Sequence, residues 1–264
     1  MKNKFALISL IGLVGGLFCV IITILEVTDD YTPFMNYHTV IIVGGGTVFA
    51  LMLGSPIKSF KTIGSVLKQA FISKDFNYPK TIETLVQLSE YARAEGLLSL
   101  EKHTEELDDP FLKKGLRLML DGTKRDDLED AMMGEVYQMQ QRHRKGQTMA
   151  NFIANSTPAF GLIGAYIGLI PMLVRLDDPV KLGPLMAIEL ASNFYGAFLS
   201  YAIFAPIAKH LILKTAEEKT KCELQIEGLL AILDAKNPRE IREQLLSYVT
   251  KKEAKKVPDA GTKS

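Results

Sequence analysis

Residues 146–174, GQTMANFIANSTPAFGLIGAYIGLIPMLV, run for a full stretch without a single charge. The hydrocarbon core of a bilayer is about 30 Å thick and takes roughly 20 residues of helix to cross. This segment exceeds that length, is apolar almost throughout and is punctuated by glycine and alanine rather than by charge. It reads as a membrane-spanning helix, and the rest of the chain falls into place around it.

Three other runs have the same character: residues 5–25, residues 34–53 with Gly44, Gly45 and Gly46 in the middle, and residues 182–208, whose one charge is Glu189. The first follows Lys2 and Lys4 and could pass for a signal peptide. It is too long for one, and it ends in Glu26 and Asp29 instead of a small-residue cleavage site, so it reads as a retained anchor. Basic residues set the orientation. The stretch 26–38 has no Lys or Arg, whereas Lys58, Lys61, Lys68 and Lys74 follow the second run, Arg142, Arg144 and Lys145 precede the third, and Lys209 and Lys214 follow the fourth. Both termini are therefore expected in the cytoplasm. The stretch 175–181 is short and charge-balanced and carries little weight.

Composition agrees with a chain that segregates apolar from charged segments: 47% of residues are hydrophobic, yet 23% are charged. A net charge of +1 gives no electrostatic footprint for nucleic acid. Cys19 and Cys222 lie in unlike surroundings and imply no disulfide framework. The four histidines, His38, His103, His143 and His210, have no metal-ligand spacing, no phosphate-binding loop is present, and the chain reads as neither a metalloprotein nor an enzyme.

The fold expected is all-α. Residues 1–56 hold transmembrane helices 1 and 2, residues 57–145 a helical cytoplasmic domain inserted between helices 2 and 3, residues 146–208 helices 3 and 4, residues 209–249 a cytoplasmic extension of helix 4, and residues 250–264 a disordered tail. Within the inserted domain, Ile82, Leu85, Leu88 and Ala92 recur at helical spacing until Gly96 interrupts them. Asp109 and Pro110 open another helix that Gly122 closes, and a further helix from about Asp126 feeds into the third span. Asn237-Pro238 breaks the extension of helix 4.

The third and fourth spans carry the informative positions. Thr157, Gly161, Ala165 and Gly168 fall on one helical face, and Gly164 with Gly168 makes a small-xxx-small pair; Ser192, Gly196 and Ser200 line a second small face, which also carries Asn193 and, one turn earlier, Glu189. Small faces let backbones approach closely, and polar groups on them point to a water- or ion-lined interface. Pro158 and Pro206 each remove a backbone donor and are expected to leave a bare carbonyl one turn earlier.

The stretch 158–164, PAFGLIG, followed by Ile167-Gly168-Leu169, Asp178-Pro179, Gly183 and Met186-Ala187, resembles the most characteristic block of the MotA/PomA family. Phe194-Tyr195-Gly196-Ala197 and Pro206-Ile207-Ala208 extend the likeness, which runs from the first span to about Tyr248. The resemblance implies a homopentameric flagellar-motor stator subunit in the bacterial inner membrane. It would surround a MotB/PomB-type partner, a single-span protein that anchors to peptidoglycan and supplies the ion-binding aspartate, and act on a rotor switch-complex protein.

On that resemblance Pro158, Thr157, Ala165, Asn193, Pro206 and Glu189 line the ion pathway, Arg93 and Glu101 face the rotor, and Gly161, Gly164, Gly168, Ser192, Gly196 and Ser200 pack the helices. No cofactor is implied beyond the transported ion. Ala165 stands where sodium-type members carry a threonine, which favours H+; Na+ is the alternative, because the amide oxygen of Asn193 could ligate a cation. TolQ/ExbB-type energisers, the related class, typically place one span before the cytoplasmic domain, and here two precede it. A membrane scaffold without transport is the third reading.

Overall fold

The computed structural model describes residues 4–5, 7–55, 64, 66, 68, 72–73 and 76–257. Lys58, Lys61 and Lys74, used above for orientation, lie outside the described residues, as do residues 258–264. Apart from a two-residue antiparallel pairing of β1 (Lys4–Phe5) with β2 (Ile72–Ser73), the described chain is helical. In chain order its helices are α1 (Leu7–Val27), α2 (Tyr37–Gly54), α3 (Tyr78–Glu95), α4 (Glu101–Thr104), α5 (Pro110–Leu120), α6 (Arg125–Leu173), α7 (Pro179–Leu233), α8 (Pro238–Leu246) and α9 (Lys251–Ala254).

Two compact units emerge, divided at residues 73/74, 142/143 and 213/214. The expected boundaries were 56/57, 145/146 and 208/209. One unit gathers α1, α2, the later part of α6 and the first part of α7. Helices α2, α6 and α7 are each long and apolar enough to cross a membrane, and α1, with 21 residues, is about 30 Å long at 1.5 Å per residue. Their outward side chains are apolar: Phe49, Ile170 and Leu190 are exposed, and Leu53 is 92% so. Such a surface suits lipid or a partner helix and not water.

Two of these helices contain a wide turn that the sequence reading did not anticipate. Helix α2 is π-helical over Val40–Gly45, and α7 over Leu199–Phe204. In α7 the wide turn sits just before Pro206, which has no N–H to give to the carbonyl of Ala202, so the ladder shifts its spacing there instead of breaking. Helix α6 runs unbroken through both Pro158 and Pro171.

The second unit holds an amphipathic core. Ile82 and Leu85 of α3, Leu116 of α5, Leu128 and Met132 of α6, Leu224 and Leu229 of α7, and Ile241 and Leu245 of α8 are all fully buried in one cluster. Each such side chain contributes about 1.5–3 kcal/mol by leaving water. Local chemistry sets the helix ends. Asn77 accepts from the Lys80 N–H at the start of α3, and Gly96 leaves it at φ 88°. Asp109 accepts from the N–H groups of Phe111 and Leu112 at the start of α5, and Asn237 from that of Arg239 at the start of α8.

The segment after Thr250 departs from the expected unstructured tail. Thr250 and Glu253 form a reciprocal capping box on α9. Val257 is buried against the core cluster, and its carbonyl accepts from Arg242 at 3.3 Å. Val257 is the one large apolar residue of that segment, and burying it orders the short helix.

Candidate functional site

Helices α6 and α7 meet along an antiparallel seam of small residues. A Cβ built on Gly196 would lie 2.8 Å from Gly161 Cα and 2.9 Å from the Thr157 carbonyl oxygen. One on Gly161 would lie 2.8 Å from the Ser192 carbonyl oxygen, and one on Gly168 2.9 Å from that of Leu185 and 3.2 Å from Glu189 Cβ. Gly164 faces the Ser192 side chain, where an added Cβ would come within 2.7 Å. Backbone meets backbone here, so only glycine fits at Gly161, Gly168 and Gly196. Ser192 and Ser200 are buried in the same seam.

Polar atoms inside the seam are mutually satisfied. Thr157, 2% exposed, donates its hydroxyl to the Ile153 carbonyl at 2.8 Å, and it lies 3.4 Å from the Ala154 carbonyl. Ser200 donates to that Ala154 oxygen at 2.6 Å. The Ala154 carbonyl is the one Pro158 deprives of its helical donor, so the expected bare oxygen is not bare. A hydroxyl from the neighbouring helix covers it, as membrane-depth carbonyls require. Thr39 of α2 adds a third contact, its Oγ1 3.2 Å from Ser192 Oγ. Thr47, further along α2, is buried with its hydroxyl unpartnered among the described residues. Thr39 and Thr47 were missed in the sequence, although they are the only serine or threonine residues of 37–54.

The six candidate pathway residues do not all share this seam. Thr157 and Ala165 lie inside it, and Ala165 is 5% exposed. Pro158 and Glu189 are half-buried, as the seam passes beside them, and Pro206 is exposed. Asn193 is exposed: one residue beyond fully buried Ser192, it is turned about 100° around the helix and out of the seam.

In the other unit Arg93 stands near the C-terminal end of α3 and Glu101 at the first position of α4, both exposed. Neither makes an ion pair among the described residues. Arg93 borders a pocket of about 190 Å³ whose other walls include Ala92, Leu97, Leu233 and Lys236.

The same unit contains a polar knot that sequence reading also missed. Asp109 Oδ2 accepts from Lys221 Nζ at 2.5 Å and from Gln225 Nε2 at 3.0 Å. Burial alone would raise the Asp109 pKa, but the Lys221 ammonium, the Gln225 amide and the Leu112 N–H together hold it below the ordinary carboxylate value. Nearby, burial first, then the charges of Glu218 and Asp109, push the Cys222 thiol up to about 12. That sulfur stays protonated and is a poor nucleophile.

Comparison with known proteins decides among the three readings. Residues 103–224 match the MotA/TolQ/ExbB proton channel family. Over 247 residues the chain is 34% identical to Motility protein A of Borreliella burgdorferi, covering 94% of this chain and 95% of that one. The chain belongs to the MotA/PomA family of stator subunits. It is also 37% identical over 258 residues to the uncharacterized protein YtxD of Bacillus subtilis, covering 97% of this chain and 95% of the relative. The fold matches the flagellar MotAB stator complex from Bacillus subtilis with a TM-score of 0.87 at 29% identity, over 95% of this chain and 98% of that one. This is a family of membrane channel and stator proteins, not of enzymes.

Proposed function

We propose that this stator subunit works as a ring of five copies in the bacterial inner membrane, around a MotB-type partner anchored to peptidoglycan, and drives a rotor with the flow of protons. Four helices cross the membrane, both termini and the unit built from α3 to α5, α8 and α9 lie in the cytoplasm, and Arg93 and Glu101 meet the rotor. The observation that carries the reading is the α6–α7 seam. Close backbone contact at Gly161 and Gly196 makes a rigid helix pair at membrane depth, and the one carboxylate beside that seam among the described residues is Glu189, half-buried against Gly168. The reading places the ion-binding carboxylate on the MotB-type partner and gives Glu189 the part of a proton relay beside the seam.

Protons rather than sodium are favoured by how the seam oxygens are used. Sodium needs several oxygen ligands to replace its water, whereas proton transfer needs a titratable group and a chain of hydroxyls or waters. The hydroxyls of Thr157 and Ser200 are already committed to carbonyls, and Ala165 offers none. Rotation is expected to persist in sodium-free medium, to collapse when a protonophore dissipates the gradient, and to slow more in Glu189→Gln than in Glu189→Asp. Speed that follows external sodium and ignores the protonophore would reverse the assignment, and an unaffected Glu189→Gln motor would remove that residue from the pathway.

A further inference from the structure

We infer that Ser200 is a positioning residue for ion conduction, acting through the Ala154 carbonyl that Pro158 leaves without a helical donor. The inference rests on the reading of the seam as the wall of a conduction path, and its first test does not depend on that reading. Three observations converge. Pro158 lies inside continuous helix, so the oxygen four residues earlier has lost its intrahelical N–H. The one short hydrogen bond to that oxygen comes from another helix, from Ser200 Oγ at 2.6 Å, while Thr157 Oγ1 is better placed on Ile153, at 2.8 Å against 3.4 Å. Ser200 is only 2% exposed and is the second residue of the π-turn Leu199–Phe204.

The turn and the proline thus answer one another across the seam. One turn before Ser200, Gly196 is fixed against Gly161 and the Thr157 carbonyl, so the position of Ser200 is set to within its own side-chain rotation. A serine hydroxyl has two acceptors within reach on a helix, a partner carbonyl or a carbonyl of its own preceding turn. While it donates to Ala154, the oxygen is closed to water. When it rotates back onto its own helix, the oxygen becomes a free acceptor at membrane depth, open to a water that relays a proton. Ser200 does not itself carry the ion; it decides when a backbone oxygen is available to the water that does.

The experiment uses the full complex, with this chain labelled with carbonyl-13C alanine and 15N asparagine and its partner left unlabelled. Only Ala150 and Ala154 precede asparagine, so selective solid-state NMR reads two carbonyls, one of them an internal reference. Ser200→Ala is expected to move one of the two signals upfield, as a lost hydrogen bond does, and to leave the other in place. In a Pro158→Ala background, where an N–H is restored to the Ala154 oxygen, Ser200→Ala is expected to move the same signal by less, because that oxygen then keeps a donor. On rotating cells, Ser200→Ala is expected to slow the motor severalfold and to displace the dependence of speed on external pH. Two unmoved signals in Ser200→Ala, or an equal shift in the Pro158→Ala background, would overturn the inference whichever ion drives the motor. The expected carbonyl shift with an unchanged pH dependence would overturn the functional step and leave Ser200 as a packing contact. Sodium-driven rotation of the unaltered protein would count against the proton assignment and not against the hydrogen bond.

Discussion

Gly196 shows how narrow the tolerance is at a single position. Its missing side chain lets α7 touch Gly161 Cα and the Thr157 carbonyl, both backbone atoms that cannot rotate away. Gly196→Ala therefore forces the helices apart and is expected to cost about 1–3 kcal/mol through overpacking. The yield of assembled complex and the fraction of motile cells should both fall. Gly134→Ala serves as the control, because a Cβ there meets nothing within 4 Å and alanine favours a helix. Equal yields from the two variants would show that the seam breathes. These glycines were legible in the sequence because spacing alone places small residues on a face. The partner of each was not, since antiparallel register depends on how two helices approach. Asn193 illustrates the limit: it sits next to Ser192 in the chain, yet Ser192 is fully buried and Asn193 exposed.

Among the elements, α5 is held at its start by one carboxylate with two duties. Asp109 caps the helix with Oδ1 and ties it to α7 through Lys221 and Gln225 with Oδ2. Because the folded-state pKa is lowered, the group stabilises the fold above the ordinary carboxylate value of 3.8. That contribution fades as pH falls below it, through the lowered folded value. Asp109→Asn keeps an acceptor for the cap but removes the charge that Lys221, 11% exposed in its side chain, is paired with. It is expected to cost about 1–3 kcal/mol at neutral pH and to flatten acid unfolding in that range, as followed by circular dichroism of the purified protein. An unaltered acid transition would mean that the pair is solvated. Asp109-Pro110, Gly96 and Asn237-Pro238 were legible because helix ends are written in local chemistry. The π-turns were not. In α2 no proline marks the turn, only Gly44 to Gly46, and in α7 Pro206 promised a kink where the helix answers with a wider turn.

At the scale of the whole molecule, the rotor contact proposed for Arg93 and Glu101 would rest on two exposed charges. Neither residue has an ion-pair partner among the described residues, and even a paired exposed charge is worth at most about 1 kcal/mol, so both contribute little to the stability of this chain. Reversing both signs is expected to impair torque while membrane insertion and complex yield stay normal, and a compensating reversal on the rotor should restore part of the speed. Unchanged torque in the double reversal would mean that these residues are merely solvated. The ordered segment ending in Val257 has a practical consequence. A reporter spliced in directly after Tyr248 would pull Val257 from its place in the core and cost Arg242 its carbonyl partner. One joined beyond Val257 leaves both where they are, and is the natural handle for counting or tracking these units in living cells.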